Sequence, residues 1–379
     1  MATKRILSIS FSPINQDSRV RRQLAVLGEF GEVTTVGYGS TPAGVSEHFE
    51  VPASAPSLPQ TPGGVIRLAL HRYRAVGLRS PGEMAALRLL TGAAPFDLVV
   101  ANDARALPLA FTIARGAPVW ADLHEWAPEE NSTSLPWRLL VKPYMDWLCR
   151  EYLPRASATT TVSKSIADLY REHYGIAPDV VRNAGPLREL TPAPLEPGRI
   201  RLVHSGIAVR NRNVESLIDA VATLDDRFSL DLYLVDTGHY LATLQTRAAG
   251  SPRIRFREPV APDDLPATLN TYDLGVFLLP PRTINYRFML PNKFFDFVQA
   301  RLGVVFGPAI EIDRIIAEHG IGVVTDGWST GDLVAALRGL THDDVARFKA
   351  ASDLAAHVLS NDADLATQRS VVRRLLGLT

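Results

Sequence analysis

Residues 290–306 read Leu-Pro-Asn-Lys-Phe-Phe-Asp-Phe-Val-Gln-Ala-Arg-Leu-Gly-Val-Val-Phe. They follow an apolar run of strand length, 274–279, that ends at the breaker Pro280-Pro281. Asn292 behind Pro291 has the chemistry of a helix N-cap. Phe294, Phe297 and Val298 then recur at helical spacing and point to a core, while Lys293 and Asp296 share another face. Gly303 closes the helix, and Val304-Val305-Phe306 starts the next buried strand. A cation and a carboxylate are therefore presented together in the first turns of a helix, at the carboxyl end of a sheet strand. Open α/β sheets bind ligands at that edge. A helix N-terminus with a lysine suits a phosphate, and a carboxylate suits sugar hydroxyls. Those are the two halves of a nucleotide sugar.

The same strand–helix punctuation extends over the whole chain. Short apolar runs at 6–11, 33–36, 98–101, 119–123, 158–162 and 180–182 alternate with amphipathic segments at 19–30, 107–114 and 165–173. That alternation predicts a parallel sheet. A second series runs through 201–204, 230–235, 254–256, 274–279, 304–306 and 322–324. Between the two lies 187–199, rich in proline, which reads as a linker. The expected organisation is one Rossmann-like domain over 1–189 and another over 190–379. Residues 52–64, rich in proline, serine and glycine, read as a surface loop.

Composition narrows the function. The chain has 379 residues, 46% hydrophobic and 21% charged, with 40 basic against 40 acidic side chains. Such neutrality disfavours nucleic acid as the main partner. Basic clusters persist locally, at Arg19-Arg21-Arg22, across 199–212 and across 282–293, and these fit small anions. The single Cys149 excludes an internal disulfide and any cysteine-based zinc site, and fits a cytoplasmic protein. No apolar run reaches the roughly 18–20 residues that span a bilayer. The aromatic and basic segment 135–152 reads as a core helix kinked at Pro143, with peripheral contact at the inner membrane face as the alternative. There is no P-loop. Gly37-Tyr38-Gly39 lacks the third glycine of a dinucleotide fingerprint, and His124-Glu125 lacks the second histidine of a zinc protease.

The stretch at 290–296 resembles the donor-binding segment of bacterial glycosyltransferases of the GT-B fold, family 4 type. The resemblance extends along the chain through Asp17-Ser18-Arg19-Val20, Asp122-Leu123-His124-Glu125, Val162-Ser163, Arg182-Asn183 and the segment Arg210 to Asn213. It implies an α/β protein of two Rossmann-like parallel-sheet domains facing across a cleft, the first binding the acceptor and the second a nucleotide sugar. It also implies a last helix, about 365–376, that packs back towards the first domain. The reaction implied is transfer of a sugar from a nucleotide diphosphate sugar to a hydroxyl acceptor, retaining and metal-independent, with no cofactor beyond the donor itself. A lipid-linked glycan of a surface polysaccharide or glycoconjugate, or a small secondary metabolite, is the expected acceptor. The base, sugar and oligomeric state are not encoded legibly.

Residue by residue, the resemblance places Gly206, Arg210, Arg212 and Lys293 on the diphosphate, with Arg19 beneath it. Guanidinium groups grip such oxygens through paired, charge-assisted hydrogen bonds. Asp296, where relatives often carry glutamate, takes the ribose, and Asn292 opens that helix. Family members often have a second acidic residue eight positions earlier, where this chain has Phe288, which shifts the sugar contact towards the backbone of Met289 and Leu290. Glu311 is an additional polar candidate. At the strand ends of the first domain, His124, Glu125 and Asp103 are the catalytic candidates. A nucleotide-sugar epimerase and a non-catalytic binding or partner subunit remain open as alternatives.

Overall fold

The computed structural model describes residues 3–238 and 240–378. Two compact units divide the chain: one runs to Arg182 and includes Thr283–Asn285 and the segment from Asp364, and the other comprises Asn183–Arg282 and Tyr286–Ala363.

The first unit is built on a seven-stranded sheet, β1 (Lys4–Pro13), β2 (Gly31–Tyr38), β3 (Glu47–Glu50), β4 (Leu98–Asn102), β5 (Val119–Leu123), β6 (Ala158–Thr161) and β7 (Asp179–Val180), in the order β3-β2-β1-β4-β5-β6-β7. Every pairing is parallel. The strands β4, β5 and β6 are buried along their whole length, as expected where helices cover both faces. The helix Ser18–Gly28 starts at Asp17, whose carboxylate accepts the backbone amides of Arg19 and Val20, so Asp17 is a cap. The last helix, Asp362–Leu376, places Val371, Val372 and Leu376 in one apolar cluster with Ile6, Leu24 and Leu98. Arg369 adds paired hydrogen bonds to Glu29, 2.7 and 2.8 Å.

The second unit repeats the plan with six parallel strands, β8 (Ile200–Ala208), β9 (Phe228–Asp236), β10 (Ile254–Arg257), β11 (Leu274–Phe277), β12 (Gly303–Phe306) and β13 (Gly322–Val324), ordered β10-β9-β8-β11-β12-β13. Phe294, Phe295, Phe297 and Val298 of the helix Asn292–Gln299 are fully buried. Gly275 on β11 is required for this packing, since a Cβ there would lie 2.3 Å from the Phe297 ring. The ring thus fixes how the helix carrying Lys293 and Asp296 lies on the sheet.

At three points the structure adds to or departs from that reading. The edge strand β3, Glu-His-Phe-Glu, carries no apolar run, so periodicity passes over it. Asn292 is the first helical residue and exposed; Pro291 occupies the cap position and no side chain caps the helix. The segment at 135–152 is a continuous helical run in which a π-helical turn, Trp137–Val141, leads directly into the α-helix Lys142–Tyr152, with Pro143 just past the junction. Tyr144, Met145, Leu148 and Cys149 of that helix are core, whereas Leu135 and Leu139 are exposed.

Candidate functional site

In the second unit, the site grows from the end of β8. Gly206 has φ +154°, and a Cβ there would lie 2.9 Å from Lys293 Nζ. Only glycine permits that approach. Lys293 uses it: Nζ donates to the Ser205 carbonyl at 2.7 Å and lies 4.3 Å from the centre of the Phe277 ring. Burial, reinforced by the neighbouring Arg212 and opposed by Asp296, lowers the Lys293 pKa to about 7. His204, whose Nδ1 is 2.9 Å from the Val276 carbonyl, is held well below its usual pKa by burial and by Lys293. A neutral imidazole, a glycine and two cations thus occupy one corner. The positive charge there exceeds what Asp296 offsets, and an anion is what that field attracts.

The two arginines after β8 part company. Arg212 acts electrostatically on both Lys293 and His204 and is half-buried. Arg210 is exposed, with its guanidinium 4.8 Å over the Tyr240 ring. Arg212 therefore belongs to the lysine corner, and Arg210 is held elsewhere. Asp296 lies one turn along from Lys293 on the same helix, half-buried. Met289 and Leu290 precede that helix and pack against its aromatic core. Glu311 is 2% exposed and accepts from Arg314, 3.1 Å away on its own helix.

Arg19, expected beneath the diphosphate, belongs to the core of the first unit. It is 3% exposed and grips Asp122 through Nε at 3.0 Å and Nη2 at 2.6 Å, with Nη1 on the Val181 carbonyl at 2.6 Å. Gln23 and Thr160 complete the shell of Asp122 at 3.1 and 2.6 Å. Although burial opposes its charge, Arg19 and His124 hold this carboxylate well below the ordinary range. Every donor of Arg19 named here has a protein acceptor, so the guanidinium is withdrawn from any phosphate.

The edge of β4 and β5 in the first unit gathers the three catalytic candidates. Asp103 has φ 68° and ψ 161°, a conformation that L residues hold only when surroundings enforce it, and such strain concentrates at functional sites. Its carboxylate accepts the His124 amide at 3.0 Å and lies 3.4 Å from His124 Nδ1, while His124 Nε2 is 3.5 Å from Asp122. Burial disfavours the imidazolium, but the flanking carboxylates outweigh it and raise the His124 pKa. Burial, helped by Glu130 and Asp103, pushes Glu125 up to about 8, so at neutral pH it is a protonated acid. Sequence reasoning missed Glu130 and Arg105, paired at 2.8 Å beside this group. Arg105 also donates to Ser57 at 3.1 Å, tying down the 52–64 loop. Neither sits in a recognisable motif, and only the fold brings them to His124. A pocket of about 470 Å³ opens beside Glu125's neighbour Trp126, lined also by Arg138, Lys142 and His173.

Residues 37–184 match the family model of Glycosyltransferase Family 4. No curated protein matches the chain. Among solved structures, sucrose-phosphate synthase from Thermosynechococcus elongatus is similar with a TM-score of 0.72 at 10% identity, over 99% of both chains. HepE from Anabaena, in complex with UDP and glucose, matches with a TM-score of 0.66 at 16% identity, over 99% of this chain and 100% of that one. WaaG, a glycosyltransferase involved in lipopolysaccharide biosynthesis, gives 0.63 at 14% identity, over 98% and 100%. At these identities the structures speak for the fold, and the family match speaks for the chemistry. Two parallel-sheet units of this topology, with a Family 4 segment in the first, make the protein a glycosyltransferase of the GT-B fold.

Proposed function

We propose that the protein transfers a sugar from a nucleoside diphosphate sugar to a hydroxyl acceptor, with retention of configuration and without a divalent ion. The observation that carries the donor reading is the corner formed by Gly206, Lys293 and Arg212, where a cation is pressed against backbone and beside a second cation. A departing diphosphate supplies the missing negative charge, and these groups stabilise it as it leaves, the work a metal performs elsewhere. Asp296 receives the ribose hydroxyls, and Met289 and Leu290 lie where the sugar binds. HepE crystallised with UDP and glucose supports a nucleotide donor for this fold.

In the first unit, His124 acts on the transferred sugar or the acceptor. Flanked by carboxylates it is a hydrogen-bond donor more than a base, while Asp103 and the protonated acid of Glu125 contact hydroxyls. The acceptor is a glycan of surface polysaccharide or glycoconjugate synthesis, or a small metabolite, and the reaction runs in the cytoplasm.

Hydrolysis and transfer assays over a panel of nucleotide sugars, with and without chelator, test this reading. Turnover with one donor, undiminished by chelator, is expected, and an absolute requirement for added manganese or magnesium overturns the metal-free mechanism. His124→Ala lowers turnover about 100-fold or more while leaving nucleoside diphosphate affinity nearly unchanged, because its contacts serve the reacting sugar. A stable, fully active variant removes His124 from the site.

A further inference from the structure

We infer that the face formed by the helix Pro62–Ala69 and the helical segment 135–141 of the first unit docks on an anionic membrane surface. The two elements pack against each other. The helix buries Gly64 and Leu68 and turns its other apolar residues outward: Val65 is 40% exposed, Ile66 58%, and Leu70 at its end 61%. On the neighbouring segment, Leu135 and Leu139 stand one turn apart and are 56% and 64% exposed. Isolated exposed leucines are ordinary, but five large apolar side chains on two adjoining elements form a face that water does not favour.

Charge selects the occupant. Between Glu50 and Glu83 the chain has no acidic residue, yet it carries Arg67, Arg72, Arg74 and Arg79, and Arg138 stands on the adjoining segment. Arg72, Arg74, Arg79 and Arg138 are exposed and Arg67 is half-buried. Among the described residues only Arg74 of these makes an ion pair, with Glu151 at 3.7 Å. A second copy docked through the same face would bring these arginines against their own counterparts, since a two-fold contact pairs identical patches. Anionic headgroups neutralise them instead, while the apolar side chains enter the acyl boundary. The helix Lys142–Tyr152 does not take part through its apolar side, which faces the core. No helix among the described residues is long and apolar enough to cross a membrane, so the contact is peripheral.

Flotation with vesicles of phosphatidylcholine alone, or mixed with phosphatidylglycerol, tests the inference on the full chain. Binding to the mixed vesicles is expected, lost on neutral ones and weakened by salt. The double variant Ile66→Asp/Leu139→Asp, and separately Arg67→Gln/Arg138→Gln, each reduce partitioning about tenfold or more with melting temperature unchanged. Equal binding of both variants and the parent, or no binding to mixed vesicles, overturns the proposal. So does a dimer in sedimentation velocity that Ile66→Asp/Leu139→Asp dissociates, because the face then belongs to a second copy.

Discussion

Arg19 and Lys293 both lie in the first turn of a helix that follows a parallel strand, and both read from sequence as phosphate ligands. Their surroundings make them opposites. Arg19 meets Asp122 along two hydrogen bonds, and Gln23 and Thr160 fill what remains of that carboxylate. Lys293 meets a carbonyl, an aromatic face and a second cation, and its pKa falls to about 7. A buried cation with a matched anion holds a fold together. One placed beside another cation is destabilised until an anion arrives, which is the basis of the proposed donor site.

The comparison breaks first at Arg19. Arg19→Ala strands Asp122 in the core and is expected to cost about 3–5 kcal/mol of stability, read by chemical denaturation. A variant as stable as the parent, yet unable to bind nucleoside diphosphate, would make Arg19 a ligand group after all.

Lys293→Met should show the reverse pattern. Calorimetry is expected to find nucleoside diphosphate affinity reduced by about 1.5–3 kcal/mol, the range for hydrogen bonds to charged groups. Melting temperature holds or rises, because a lysine whose folded pKa is depressed below its unfolded value penalises the folded state wherever the unfolded lysine is charged. A large loss of stability would assign Lys293 to the core with Arg19.

The lysine also predicts a pH dependence. A bound diphosphate favours the charged amine and raises its pKa, so binding takes up a proton once pH exceeds about 7. Affinity then falls with rising pH by up to tenfold per unit until the pKa of the complex is passed. Titrations at several pH values check this, and the dependence disappears in Lys293→Met. Arg210→Ala provides the smallest effect: with its guanidinium over Tyr240, affinity and stability both stay within about 0.5 kcal/mol. Arg212→Ala measured beside it sharpens the contrast between the two arginines.

What could be read directly from the chain was whatever lies close in sequence or repeats with a period. Parallel strands buried on both faces are apolar runs, so twelve of the thirteen strands stood out and β3, polar at a sheet edge, did not. Lys293 and Asp296 share a helix face at fixed spacing, so their pairing followed from helical geometry alone. Contacts made across the sheets left no such trace. Arg19 reaches Asp122 over 103 positions, and Lys293 reaches Ser205 over 88. Arg105 and Glu130 come to His124 only because β4 and β5 are neighbours. The sequence alone determined the two-sheet fold and supplied the charged residues, since periodicity and turn chemistry are local. Which charges are neutralised in the core and which are set beside another cation was decided by tertiary structure, because burial and Coulomb interaction depend on distance in space.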